Sequence, residues 1–131
     1  MDLLVIAKRI AERAEAAALD AKVPITVCVI DAHGNMVLKH RMPGALGASA
    51  DLAERKAYTA VMTRMRTLDL LPLVQPGQPL EALSGVSGGR YCAMGGGVPL
   101  LREGEVIAGV GISGGTVDQD VAIVEAASRQ A

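Results

Sequence analysis

Two histidines, one lysine and two glycine-rich stretches carry most of the chemistry that this sequence offers. His33 and His40 are the side chains that exchange a proton near neutral pH. Both fall on one hairpin, His33 at its tip and His40 beside Arg41 where the chain leaves the strand. Each is either a group that reaches a ligand or a solvated turn residue. Lys56 lies in an alanine-rich helix. It is either a buried cation facing an acidic ligand or a lysine whose stem follows the surface to water.

The stretch Ser113-Gly114-Gly115-Thr116 follows a strand-like run and opens a helix. Such glycines can cradle an anion, or simply turn the chain into a capped helix. The lysine of a P-loop and the G-x-G-x-x-G spacing are both missing, and Asp118 and Asp120 in the first turn would repel a phosphate. Thr116 with Gln119 three residues on fits a capping box, and the two aspartates suit the positive end of the helix dipole. This stretch is therefore a capped helix start before it is a nucleotide cradle. The second glycine run, MGGGVPL (94–100), precedes a strand, so no helix dipole assists it. It is a flexible lead-in, a set of bare amides for an anion, or the wall of a shared pocket.

No catalytic set emerges from spacing. His33, His40, Cys28 and Cys92 do not show zinc-ligand intervals, which leaves no metal site to predict, and no nucleophile elbow marks a serine. Thirteen Lys and Arg balance fourteen Asp and Glu, for a net charge of −1. With no Trp or Phe and two Tyr, neither charge nor stacking argues for nucleic acid. No apolar run approaches the ~18 residues of a membrane span. The opening MDLLVIAKRI places its basic residues after the apolar run, the reverse of a signal peptide. Two distant cysteines without a CxxC motif are expected to be reduced thiols, and the expected location is cytoplasmic.

These residues need elements to hold them. Apolar spacing of three, four and seven residues predicts a helix over 3–20 on Leu3, Ile6, Ala7, Ile10, Ala14, Ala17 and Ala18. ITVCVID (25–31) is apolar on both alternating faces, as a covered central strand is, and MVLKHR (36–41) is its edge-like hairpin partner. A second helix, capped by Ser49 or Asp51, is expected to run to about Met65. Pro72, Pro76 and Pro79 break up 67–90, an ordered, packed excursion, with a short extra strand near 87–93. A second hairpin spans 98–113 with its turn at Arg102 to Glu105, and a last helix runs from Thr116 to about Arg129. In the strand 105–113, Val106, Ala108, Val110 and Ile112 should face one way, and Ile107, Gly109, Gly111 and Ser113 the other. That second face is nearly bare backbone, so a helix, another subunit or a flat ligand must come close. The whole is a single α+β domain, 1–131, with one antiparallel sheet and helices on its faces.

Three segments, VIDAHGNMVLKHRMPGA (29–45), ERKAYTA (54–60) and GGGVPLLREGEVIAGVGISGGTVDQDVAIVEAA (95–127), resemble the haem-degrading or haem-binding domain family. That family takes in GlcG-like and HbpS-like proteins and the C-terminal domain of PduO-type corrinoid adenosyltransferases. The resemblance covers nearly the whole chain in order. It implies a profilin-like sandwich with a five-stranded antiparallel sheet, homo-oligomers, and haem or a related tetrapyrrole as the cofactor. It also implies a larger enzyme partner in a cobalamin-linked diol or glycerol dehydratase system, or in glycolate metabolism. Arg41, Met42, Lys56, Gly97, Ser113, Gly114, Gly115 and Thr116 transfer as pocket-forming positions. Haem iron takes an axial His, Cys, Met or Tyr. The first helix holds no histidine, so the candidates are His33, His40, Tyr91, Cys92 and Met94. The leading expectation is an oligomeric ligand-binding protein. The alternatives are an enzyme on a small acidic metabolite, using Arg41 and Lys56 for charge and a histidine as base, and a structural or chaperone-like subunit without a small ligand.

Overall fold

The computed structural model describes residues 2–129. Helix α1 spans Leu3–Ala21; Asp2 caps it by accepting the Val5 N–H at 2.9 Å, and Lys22, in the left-handed region, ends it. Its buried stripe is Ile6, Ala7, Ile10, Ala11, Ala14 and Ala18. Strands β1 (Thr26–Asp31) and β2 (Met36–Arg41) form the expected hairpin. The Asp31 carboxylate organises its turn by accepting the N–H groups of His33 and Asn35, each at 2.9 Å. Helix α2 (Gly47–Thr63) follows, then a single turn, α3 (Thr67–Leu70). The hairpin β3 (Gly97–Arg102) and β4 (Glu105–Ser113) leads into helix α4 (Val117–Ser128).

Among the described residues the sheet has four strands, all antiparallel, in the order β2-β1-β4-β3. The fifth strand expected near 87–93 is absent. Ser87–Gly89 is instead a 3₁₀ turn with Gly88 at positive φ, which tilts the chain out of any strand path. The excursion of 67–90 is ordered, with two further 3₁₀ turns at Leu71–Val74 and Glu81–Gly85. It is far less packed than its leucines suggest: Thr67 and Leu70 are buried, while Leu71, Leu80 and Val86 lie exposed.

Helices cover both faces of the sheet. Val27, Val29, Ala108, Val110 and Ile112 pack with α1 and α4, and Cys28 and Ile30 pack with Ala53, Ala57 and Val61 of α2. Burying each such Val or Ile stabilises the fold by roughly 1.5–3 kcal/mol. The predicted alternation along β4 holds from Ala108 onward. Before it, Val106 joins the α2 side and Ile107 the α1/α4 side. The cause is a bulge: Leu100 pairs with Ala108 but Leu101 with Val106, so Ile107 is the extra residue and the faces exchange there.

The bare face of β4 meets α2 of the same chain. A Cβ at Gly111 would collide with the Ala53 carbonyl oxygen and stand 2.7 Å from the Ala57 nitrogen. One at Gly109 would collide with the Ala57 carbonyl oxygen. Glycine is needed here so that a helix backbone can lie directly on a strand backbone.

Candidate functional site

Lys56 is not a surface lysine. It lies on the face of α2 turned to the sheet, is 1% exposed, and its Nζ donates to the Ile112 carbonyl at 3.0 Å and to Asp120 Oδ2 at 3.2 Å. Asp120 projects from the first turn of α4, and its Oδ1 accepts the Gly115 N–H at 2.9 Å. Burial pushes the Asp120 carboxyl above its ordinary range, against the opposing pull of the Gly115 N–H and of Lys56. The glycine runs make room for this pair. At Gly96 a Cβ would stand 2.9 Å from Lys56 Nζ, and at Gly97 it would press on the Lys56 backbone. Within the MGGGVPL run, Gly95 to Val98 are therefore buried, with Gly96 and Gly97 packed on the lysine.

The pair forms part of the floor of a pocket of 110 Å³, whose lining includes Ser49, Met94, Ser113, Gly114 and Gly115. Ser49 does not cap α2, which starts two residues earlier at Gly47 with no side-chain cap. Its hydroxyl instead pairs with Thr26 Oγ1 at 2.8 Å, a buried contact between α2 and β1. Thr116 caps α4 as predicted, with both halves of the capping box made.

The histidines lie elsewhere. His40 and Arg41, adjacent at the end of β2, take different hydrogen-bond partners but line one groove. His40 pairs in register with Val27 and reaches α1, where its Nδ1 meets Glu15 Oε1 at 3.0 Å. Arg41 pairs with Thr26 and its guanidinium donates to the Ala45 carbonyl, in the loop before α2, at 3.2 Å. An open groove of 570 Å³ runs over Glu15, Leu19, His40, Arg41, Met42 and Pro43. A second depression of 360 Å³ shares Leu19, Met42 and Pro43 with it and adds Lys22, Val23 and Pro24. His33 is exposed at the hairpin tip. Tyr91 stacks at a tilt on Tyr58, ring centroids 5.6 Å apart, with the Arg90 guanidinium 3.7 Å over the Tyr58 ring. Cys28 and Cys92 are both free thiols; Cys28 is fully buried and its thiol is pushed up to about 12 by burial, with Glu54 adding to the effect.

The predicted residues thus separate into a pocket holding Lys56, Ser113, Gly114 and Gly115, and a groove holding His40, Arg41 and Met42. Gly97 packs on the Lys56 backbone outside the pocket lining, while His33 and Tyr91 belong to neither. Sequence reasoning missed Asp120 as the partner of Lys56 and Glu15 as the partner of His40. Neither pairing leaves a local signal, because the partners stand 64 and 25 residues apart.

Residues 4–129 match the family model of haem-degrading HbpS-like proteins. The chain belongs to this family. It is 42% identical over 95% of its length to an uncharacterised 15.0 kDa protein in the dhaT-dhaS intergenic region of Citrobacter freundii, covering 87% of that protein. It is 41% identical over 96% of its length to the corrinoid adenosyltransferase PduO of Salmonella typhimurium, but spans 36% of that longer protein. The crystal structure of the PduOC:heme complex superposes with a TM-score of 0.94 at 38% identity, covering 98% of this chain and 93% of the other. No helix among the described residues is long and apolar enough to cross a membrane.

Proposed function

We propose that this HbpS-like chain binds haem, or a closely related tetrapyrrole, in the groove between α1 and β2, with His40 as the axial ligand. One observation carries this reading: Glu15 holds His40 Nδ1 at 3.0 Å, which leaves Nε2 for a metal. A carboxylate behind an imidazole is the arrangement that fixes a ligating histidine and raises its basicity. The surroundings fit the rest of the molecule. Leu19, Met42 and Pro43, with Val23 and Pro24 in the adjoining depression, supply apolar walls, and Lys22 at the margin supplies a cation for a carboxylate side arm. The first helix contributes the carboxylate in place of a histidine, and the second strand contributes the imidazole. Haem, once bound, supplies an iron centre for redox or ligand chemistry; the chain's own part is to hold, orient and shield it.

The groove is open along one side, where Leu19 is 69% exposed. We infer that a second copy of the chain closes it, and that the similarity to part of PduO reflects an accessory role beside a corrinoid-dependent enzyme. For the enzyme alternative, only Arg41 stands with a histidine in one groove, because Lys56 lines a different pocket.

Titration with hemin followed by absorbance tests the reading. A shifted Soret band saturating at stoichiometric hemin is expected. His40→Ala should lose that spectrum, and Glu15→Gln should weaken binding roughly 10–100-fold. An unshifted spectrum at stoichiometric hemin defeats the haem reading, and unchanged binding by His40→Ala defeats the assignment of the ligand.

A further inference from the structure

We infer that the pocket over the Lys56–Asp120 pair is a second binding site, specific for a small neutral molecule that carries a hydroxyl together with a carbonyl or a second hydroxyl. It stands on observations separate from the groove. The rim is apolar and open: Leu46 is 68% exposed, and Met94 and Val117 are exposed beside it. The floor is polar and incompletely satisfied. Two of the three Lys56 N–H donors are taken, by Ile112 and Asp120. The Ser113 side chain, 4% exposed and on the α2-facing side of β4, lines the same pocket with no hydrogen-bond partner among the described residues. A hydroxyl that no protein group satisfies, opening into the pocket beside a spare ammonium donor, offers a ligand two unused polar contacts.

Charge and size choose the ligand. Lys56 and Asp120 cancel, so an anion would be drawn to one and repelled by the other at nearly the same distance, and a cation likewise. A neutral molecule avoids both penalties and can use all three groups: it accepts from Lys56, exchanges a hydrogen bond with Ser113, and donates to the remaining lone pairs of Asp120. A volume of 110 Å³ corresponds to about four waters at roughly 30 Å³ each, which limits the ligand to about four to six heavy atoms.

The test is titration of ¹⁵N-labelled protein with hydroxyacetone, with acetate and ethylammonium as charged comparators of similar size. Saturable shifts of the Ser113, Gly114 and Gly115 amides with hydroxyacetone are expected, weaker by roughly two- to tenfold in Ser113→Ala. Met94→Trp, which fills the mouth from the rim, should abolish them and decides the matter if Ser113→Ala fails to fold. His40→Ala should leave them intact, which separates this site from the haem groove. Absence of saturable shifts overturns the inference, as does tighter binding of acetate or ethylammonium.

Discussion

Lys56 and Asp120 show how much a single residue's role depends on a partner far along the chain. Each alone is a polar group in the wrong place; together, with the Gly115 N–H and the Ile112 carbonyl, each gains a partner for its buried charge. Removing one charge from such a pair costs about 3–5 kcal/mol, because the other stays buried and unpaired. Lys56→Met is expected to lose that much in urea unfolding. Lys56→Met combined with Asp120→Asn should be less destabilised than Lys56→Met alone, since Asn is uncharged and still accepts from Gly115. Cys28 gives a prediction in pH. Its thiol titrates near 12 in the folded chain and near 9 when unfolded, so the folded state holds the proton more tightly. Its contribution is present below pH 9 and is lost as pH rises toward 12, by an amount on the order of 4 kcal/mol. Urea midpoints measured from pH 8 to 11 should therefore fall more steeply in the wild type than in Cys28→Ala. At pH 8 a thiol reagent should modify Cys92 in the native protein and reach Cys28 only on unfolding.

At the scale of elements, the contact of α2 with β4 decides which glycines matter. Gly111→Ala places a methyl on the Ala53 carbonyl, and neither backbone can yield without lifting the helix. A loss of about 3 kcal/mol or more is expected. Gly47, in the first turn of α2, has no atom within 4 Å of an added Cβ. Gly47→Ala should instead stabilise by roughly 0.5–1 kcal/mol through helix propensity and a less free unfolded chain. Equal losses from the two substitutions in thermal unfolding would contradict the packing described for β4. Thr116→Ala, which removes the cap of α4, should cost about 1 kcal/mol. Because Gly115 and Asp120 belong to the same helix start, it should also loosen the pocket floor.

The whole molecule has a sheet with two edges, and β3 is protected in a specific way. The outward N–H of Gly97 is taken by Thr67 Oγ1 at 2.8 Å, and Pro99, next along that edge, has no N–H to offer. Pairing through the β3 edge is thus disfavoured, while Leu19 and Leu46 stand exposed elsewhere on the surface. Pro99→Val should restore an edge donor and raise aggregation in light scattering, while native association, if seated at the groove, responds to hemin instead. The groove and the pocket share no lining residue, so saturating one should leave affinity at the other largely unchanged.

Much of this was legible from residue order alone. Periodicity gave α1 and its stripe, the alternation of β1 gave a strand covered on both sides, and Thr116 with Gln119 gave the cap, because each is a local rule acting over a few residues. The three quoted segments were enough to identify the family. Other features needed the folded chain. The fifth strand failed because positive-φ glycine and 3₁₀ turns at 87–89 deny the extended geometry, whatever the apolar content nearby. The bulge at Ile107 exchanged the faces of β4, and a one-residue slip has no signature in composition. Above all, the sequence could not say whether Lys56 was surface or core, nor that Glu15 would stand behind His40 while Arg41 turned to the Ala45 carbonyl. Those are long-range electrostatic and packing choices, made only when distant helices close on the same strands.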